Sequence, residues 1–263
     1  MLRIQSLQNQ KVKDLIRLRD ARARKQTKSF LVEGAREIER ALRCQFKPLQ
    51  FWVCRELMSD ASENLLASID PSVMIEVSEG VYEKIAVRES KDGVCAVFSS
   101  RDRHLDDLVA EDLSVILAVQ GLEKPGNLGA MLRTAEGLGA GAVVLLDPKS
   151  DLWNPIAIRA SLGTIFSIPV FETTSESFYK FCLARNIKTY SALLSPKSES
   201  IFKTKFAESC AIVLGTEDEG LSQFWVENSD FSVMVPMAGI ADSFNVSVAA
   251  GVLLFEVMRQ RKI

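Results

Sequence analysis

At 263 residues, 47% hydrophobic and 25% charged, the chain can bury a large core and has room for two modest domains or one large one, the composition of an ordinary soluble globular protein. Its first residues lack the apolar stretch of a signal peptide. The longest apolar run, 248–255, falls well short of the roughly 20 residues of a bilayer span, so a cytoplasmic protein without membrane contact is expected. Five scattered cysteines with no CxxC pair argue against a zinc cluster or a disulfide framework, leaving buried free thiols and no expected metal.

The net charge of −2 conceals a strong asymmetry. Residues 1–50 carry 13 Lys and Arg against 5 Asp and Glu, whereas the remainder carries 19 against 29, a pattern that points to a basic domain built for a polyanion. Within it, 11–28 predicts a helix whose apolar face is Val12, Leu15, Ile16 and Leu18 and whose other face is cationic. Lys11, Arg17, Arg22, Arg24 and Lys25, with Arg36 further on, are therefore candidate phosphate contacts of an RNA-binding surface. A strand at 30–32, a turn at Glu33-Gly34, a helix at 35–43 and strands at 49–53, 74–77 and 94–98 complete a small α/β unit over 1–98. The charged stretch 99–112 reads as a linker.

From 113 to 263 strands and helices alternate. Apolar strands are predicted at 115–119, 142–146, 168–171, 188–193, 211–214 and 231–235, an order that favours a mostly parallel sheet covered on both faces. The last helix, 243–261, is apolar nearly all round, with Phe244, Val246, Val248, Leu253, Phe255 and Val257 among its residues. A helix with no polar face is covered on every side, which predicts a partner subunit.

Three motifs fall where open α/β sheets bind ligands, outside the carboxyl ends of strands. The first is Asn127-Leu128-Gly129-Ala130-Met131-Leu132-Arg133-Thr134-Ala135. The second is Leu214-Gly215-Thr216-Glu217-Asp218-Glu219-Gly220-Leu221. The third runs from Val235-Pro236-Met237 to Asp242-Ser243-Phe244-Asn245-Val246-Ser247. A further glycine run, Gly137 to Gly141, ends a helix and precedes a strand, the reverse of the dinucleotide-binding context, and reads as a helix cap and turn.

Taken together, these strings resemble the three signatures of the SpoU (TrmH-like) group of SPOUT RNA methyltransferases, over about residues 115–260. The N-terminal part, through Phe30-Leu31-Val32-Glu33-Gly34-Ala35-Arg36, is similar to the L30e-like substrate-binding domain that precedes the catalytic domain in rRNA-directed members. Phe244 stands where the family usually has Leu, and Val235 where Ile is common; both keep an apolar side chain. The resemblance implies an α/β fold with a trefoil knot, S-adenosylmethionine (AdoMet) as cofactor, and methylation of a ribose 2′-hydroxyl. It implies cofactor contacts at Gly215, Val235 and Phe244, with Leu214 and Val246 beside them, and a catalytic site lined by Asn127, Arg133, Glu217, Ser243 and Asn245. It also implies a homodimer whose site includes both subunits. Large-subunit 23S rRNA is favoured over tRNA because of the L30e-like part.

Transfer of a methyl group to a hydroxyl is an in-line displacement, so donor and acceptor must be aligned and the hydroxyl helped to lose its proton. The only histidine, His104, falls in the linker. Arg133 can instead hold the developing alkoxide and the neighbouring phosphate through its fork of donors. Family proposals also make this arginine the proton acceptor, although a guanidinium stays protonated to about pH 12 unless strongly perturbed. Ser243 and Asn245 can orient the ribose or the arginine, and Glu217 can fix Arg133 or Asn127. Each residue type has a structural use as well: Asn127 or Ser243 as a helix cap, Gly215 and Gly220 in a turn. Arg133 shares a helix face with Gly129 and Ala130, where an inward charge without a partner would be costly. The alternatives are a tRNA 2′-O-methyltransferase or a non-catalytic RNA-binding or ribosome-assembly factor. A nucleotide-binding oxidoreductase is disfavoured by the absence of a strand-following GxGxxG.

Overall fold

A computed structural model of the chain describes residues 2–87, 92–109, 113–216 and 219–261. Two compact units emerge: Met1–Asp102 with Asp151–Ser167, and Arg103–Ser150 with Ile168–Ile263. Among the described residues no helix is long and apolar enough to cross a membrane.

The first unit contains β1 (Leu2–Ile4), α1 (Gln10–Arg17), α2 (Ala21–Thr27), β2 (Ser29–Glu33), α3 (Ala35–Arg43), β3 (Pro48–Val53), α4 (Asp60–Leu66), β4 (Met74–Val77), α5 (Glu79–Ile85) and β5 (Val94–Ser99). Its sheet has the order β1-β4-β3-β5-β2, with β5 antiparallel to both β2 and β3. Val12, Leu15 and Leu18 are buried with Trp52, Ile75 and Val97, so the predicted apolar stripe does face the core. The predicted helix over 11–28 is, however, two helices. Asp20 interrupts it by capping α2, its carboxylate accepting from the Arg22 amide at 2.7 Å, and a side chain that bonds its own backbone in this way favours a helix start over a helix interior.

The second unit opens with β6 (Val115–Gln120), α6 (Pro125–Gly137) and β7 (Ala142–Leu146). The chain then makes an excursion, Asp151–Ser167, that groups with the first unit, although in sequence it interrupts the alternating strands. The excursion carries α7 (Pro155–Ala160). Its attachment is aromatic: Trp153 stacks on Phe30 with ring centroids 4.1 Å apart, and Phe166 and Phe46 complete the cluster, a packing that places large apolar rings out of water.

β8 (Val170–Thr173), α8 (Ser175–Ala184), β9 (Lys188–Ala192), β10 (Glu199–Ser200), β11 (Cys210–Leu214), α9 (Gln223–Asn228), β12 (Phe231–Met234) and α10 (Val246–Gln260) follow. Among the described residues, the seven strands of this unit pair in parallel, in the order β10-β12-β9-β11-β6-β7-β8. Every residue of β7 and β11 is buried, as a central parallel strand covered on both faces requires. α10 packs on α6 and β11. It is not covered on every side: Val246, Ala250, Leu253, Leu254 and Val257 are buried, but Val248 and Phe255 are 48% and 59% exposed. One apolar stripe of α10 thus faces out of the single chain. The glycine run at 137–141 closes α6, with Gly139 at φ 70°.

Candidate active site

The second and third motifs meet beyond the carboxyl ends of β11, β12 and β9. β11 stops at Leu214, and the next residue has no room for a side chain: a Cβ on Gly215 would lie 2.1 Å from the carbonyl carbon of Gly220. Only glycine permits that approach. The turn closes on itself through two hydrogen bonds of 3.2 Å, Thr216 N–H to Gly220 O and Gly220 N–H to Thr216 O, with Gly220 at φ 69°. On the other side, β12 ends at Met234 and the third motif runs from Val235 to Asn245.

Between these segments lies a cavity of about 480 Å³, within the usual ~300–1,000 Å³ range of small-molecule sites. Leu214, Gly215, Val235, Phe244 and Val246 all line it. So does Ser243. The residues that sequence reasoning missed here are Ala192, Leu193 and Leu194 at the end of β9; the signal available was their position at a strand's carboxyl end, where the other two motifs also lie. Most of the wall is apolar, the surface a flat aromatic ring prefers.

A smaller hollow of about 90 Å³ adjoins the cavity, since Thr216, Glu219 and Val246 border both. Asn127 lines it together with Glu123, Lys124 and Lys149. Lys149 Nζ lies 2.9 Å from Glu123. The hydrogen bond and charge of this pair hold Glu123 below the usual carboxylate range and Lys149 above its ordinary value. None of these three charged residues stood out in the sequence; Glu123 and Lys149 pair across 26 residues with no common periodicity.

Asn127 and Asn245 face each other, Asn245 Nδ2 being 3.5 Å from Asn127 Oδ1, so the first and third motifs converge. The capping role predicted for Asn127 or Ser243 belongs to Asn245, whose side-chain oxygen accepts from the Ser247 amide at 3.0 Å and from its hydroxyl at 2.6 Å. α6 is capped at Lys124 without a side-chain bond. Arg133 is placed differently from the rest. It is exposed, on the outside of α6 rather than turned inward with the buried Gly129, and it lines neither hollow. It makes no hydrogen bond or ion pair with another of the described residues. Glu217 lies outside the described residues.

In the first unit, Lys11, Arg17, Arg22, Lys25 and Arg36 are exposed. Arg36 is 2.6 Å from the buried carboxylate of Glu37. Arg24 is not available to a phosphate: it is 4% exposed, its Nε bonded to the Asp151 carboxylate and its Nη1 to the Leu18 carbonyl at 2.6 Å. Helical spacing put it on the cationic stripe, but the break at Asp20 rotates α2 and turns this one cation inward, where burial demands a partner.

Comparison with known proteins agrees with this geometry. The SpoU rRNA Methylase family matches residues 114–255, and the MRM3-like substrate binding domain matches residues 9–96. A 23S rRNA (guanosine(2553)-2′-O)-methyltransferase of Bacillus subtilis is 29% identical over 258 residues, 98% of this chain and 99% of its own. A crystal structure of an RNA 2′-O ribose methyltransferase is 35% identical and superposes with a TM-score of 0.87, covering all of both chains. An AdoMet-bound rRNA methyltransferase of Sinorhizobium meliloti superposes with a TM-score of 0.89 at 26% identity, covering 99% of this chain and 98% of that one.

Proposed function

The chain belongs to the SpoU rRNA methylase family, and from that premise we propose that it is an AdoMet-dependent methyltransferase acting on a ribose 2′-hydroxyl of 23S rRNA. The observation that carries the reading is the cavity of about 480 Å³ at the strand ends, with Leu214, Gly215, Val235, Phe244 and Val246 in its wall. The residues fit the cofactor. The volume suits it, the apolar wall suits an adenine ring, and the absence of a side chain at Gly215 leaves backbone facing the pocket, where amides and carbonyls can bond the polar edges of a ligand. When bound there, AdoMet supplies an electrophilic methyl group on a sulfonium.

What the chain's own residues do follows from their places. Asn127, in the wall of the small hollow, and Asn245, which faces it, can hold the ribose of the target nucleotide by hydrogen bonds, with Ser243 in the wall of the larger cavity. The small hollow next to Asn127 lies where the acceptor nucleotide would enter. Arg133, which reaches neither hollow within one chain, completes the site from a second copy: α6 packs on α10, the exposed stripe of Val248 and Phe255 supplies the apolar surface for a homodimer, and the guanidinium then holds the alkoxide as it develops. The exposed cations of the N-terminal domain, residues 1–98, would contact phosphates and position the RNA. Such work belongs in the cytoplasm, and the knotted threading of the C-terminal segment goes with the same reading.

The experiment is transfer of labelled methyl from AdoMet to purified RNA. Label in protein-free 23S rRNA at a 2′-O position is expected. Label confined to tRNA would make the chain a tRNA methyltransferase, and RNA binding without any transfer would make it an assembly factor.

A further inference from the structure

Gln120 is the last residue of β6. It belongs to none of the three motifs and lines neither hollow, yet its side chain is bonded at every polar position. Its carbonyl oxygen accepts from the Ser222 amide at 2.9 Å, and its Nε2 donates to Asp147 Oδ2 at 3.1 Å and to Ser175 Oγ at 3.0 Å. Ser175 in turn donates to the same Asp147 oxygen at 2.5 Å and accepts from the buried indole of Trp225 at 3.0 Å. The polarity is one-way: a backbone amide can only donate and an ionised carboxylate can only accept, so a single orientation of the Gln120 amide satisfies all the partners. Asp147 holds φ 47° to take part, a left-handed conformation that Asp and Asn adopt more readily than most residues.

The position of this network gives it a consequence. Gln120 adjoins the loop that leads to Asn127, and Ser222 directly follows the turn Gly215 to Leu221 that walls the cavity. One side chain therefore fastens the acceptor loop to the cofactor loop across 102 residues of sequence. We propose that Gln120 is a positioning residue for methyl transfer, clamping the wall of the cofactor cavity to the strand that carries the acceptor side of the site; this rests on the methyltransferase reading above. Misplacement of reacting groups by about 1 Å can cost around a hundredfold in rate, so the clamp matters even though it touches neither reactant.

Exchange of polarity tests it. Gln120→Glu keeps the acceptor for Ser222 but sets a second carboxylate against Asp147 and removes both amide donors. Adding Asp147→Asn restores every bond with the donors reversed, at the parent's net charge: the new amide donates to the new carboxylate, and the Ser175 hydroxyl turns to donate to it as well. With AdoMet as the titrant and the full chain well below its melting transition, Gln120→Glu is expected to raise the AdoMet Kd by at least about tenfold, and the double variant to return it to within about threefold of the parent. Ser175→Ala, which keeps the Gln120–Ser222 bond but removes one of its supports, is expected to raise the Kd severalfold in the same direction. A Gln120→Glu protein that melts lower but binds AdoMet and turns over RNA like the parent would reduce the network to a structural tie and overturn the proposal. A raised Kd that the double variant fails to recover would overturn it too. Failure of the parent itself to bind AdoMet would instead remove the reading on which the proposal rests.

Discussion

A Cβ on Gly215 would lie 2.1 Å from the carbonyl carbon of Gly220 and 2.4 Å from the amide nitrogen of Leu221, so the turn between them closes only around a bare α-carbon. Both contacts are to backbone, which cannot swing aside as a side chain can. Gly215→Ala should therefore open the turn, costing about 1–3 kcal/mol of stability as overpacking does, and should weaken AdoMet binding by about a hundredfold. Calorimetric titration and thermal melting measure the two effects; an alanine variant that binds AdoMet like the parent would show that the turn does not shape the cofactor site.

Arg133 lies apart from both hollows in one chain, and this has a distinctive consequence if a second copy completes the site. Arg133→Ala should leave AdoMet affinity unchanged while methyl transfer falls at least about a hundredfold, because the guanidinium acts on charge that develops only in the transition state. Val235→Trp, which fills the cavity, should be inactive for want of cofactor. Mixed and allowed to exchange subunits, the two dead proteins should regain activity, each heterodimer having one intact site. Phe255→Asp, on the exposed stripe of α10, should give monomers in sedimentation and abolish transfer. Full activity in a monomer would contradict the shared site.

The N-terminal cations divide into two classes. Reversal of charge at Arg17, Arg22 and Lys25, all exposed, should weaken RNA binding and flatten its dependence on salt, each lost phosphate contact removing about 0.7–0.9 of a unit of slope. Arg24→Ala should behave in the opposite manner, lowering stability by about 3–5 kcal/mol by leaving the Asp151 carboxylate without its buried partner, with the salt slope of the folded protein unchanged. An Arg24 variant that folds normally and loses slope would put that residue back on the RNA surface.

Much of the fold was legible because the pattern of apolar residues was strong. β7 begins and ends where a continuous apolar run does, and α3 where its periodicity and Gly34 set it. β1 and β10, of three and two residues, carry no periodicity and went unread. The single helix expected over 11–28 failed at one residue, since Asp20 fits a helix surface as well as a cap until its carboxylate is seen on the Arg22 amide. That the second and third motifs share one cavity was legible because both stood just after strands; the cofactor roles of their residues came from the family resemblance alone. The pairing of Gln120 with Ser222, or of Lys149 with Glu123, was not legible, because such contacts depend on strand order rather than on local spacing.

At the opposite end of the sheet from the cavity, Asp230 is partly buried, which by itself would push its carboxyl upward. The Lys188 ammonium at 2.8 Å and two hydrogen bonds from Thr189 more than offset this and hold it below the usual range for aspartate. A carboxyl whose folded value is lowered stabilises the fold above its unfolded value and loses that contribution as pH falls through the folded one. The stabilisation should thus be complete above about pH 5 and fade below about pH 4. Asp230→Asn should destabilise the protein at neutral pH and shrink this acid-side slope, while AdoMet affinity stays at the parent value. Melting curves across that range check it; an unchanged slope would mean the carboxylate contributes nothing net.

The central claim, methylation of a ribose in 23S rRNA, is tested most directly by mapping 2′-O-methylated nucleotides in rRNA from cells with and without the gene. A 2′-O-methyl group blocks attack of the hydroxyl on the neighbouring phosphate, so a modified position resists alkaline cleavage. The account predicts one alkali-resistant position in 23S rRNA that vanishes with the gene, returns with the parent chain and stays absent with Arg133→Ala. Identical maps in the presence and absence of the gene, or loss of a methyl group on a base instead of a ribose, would contradict it.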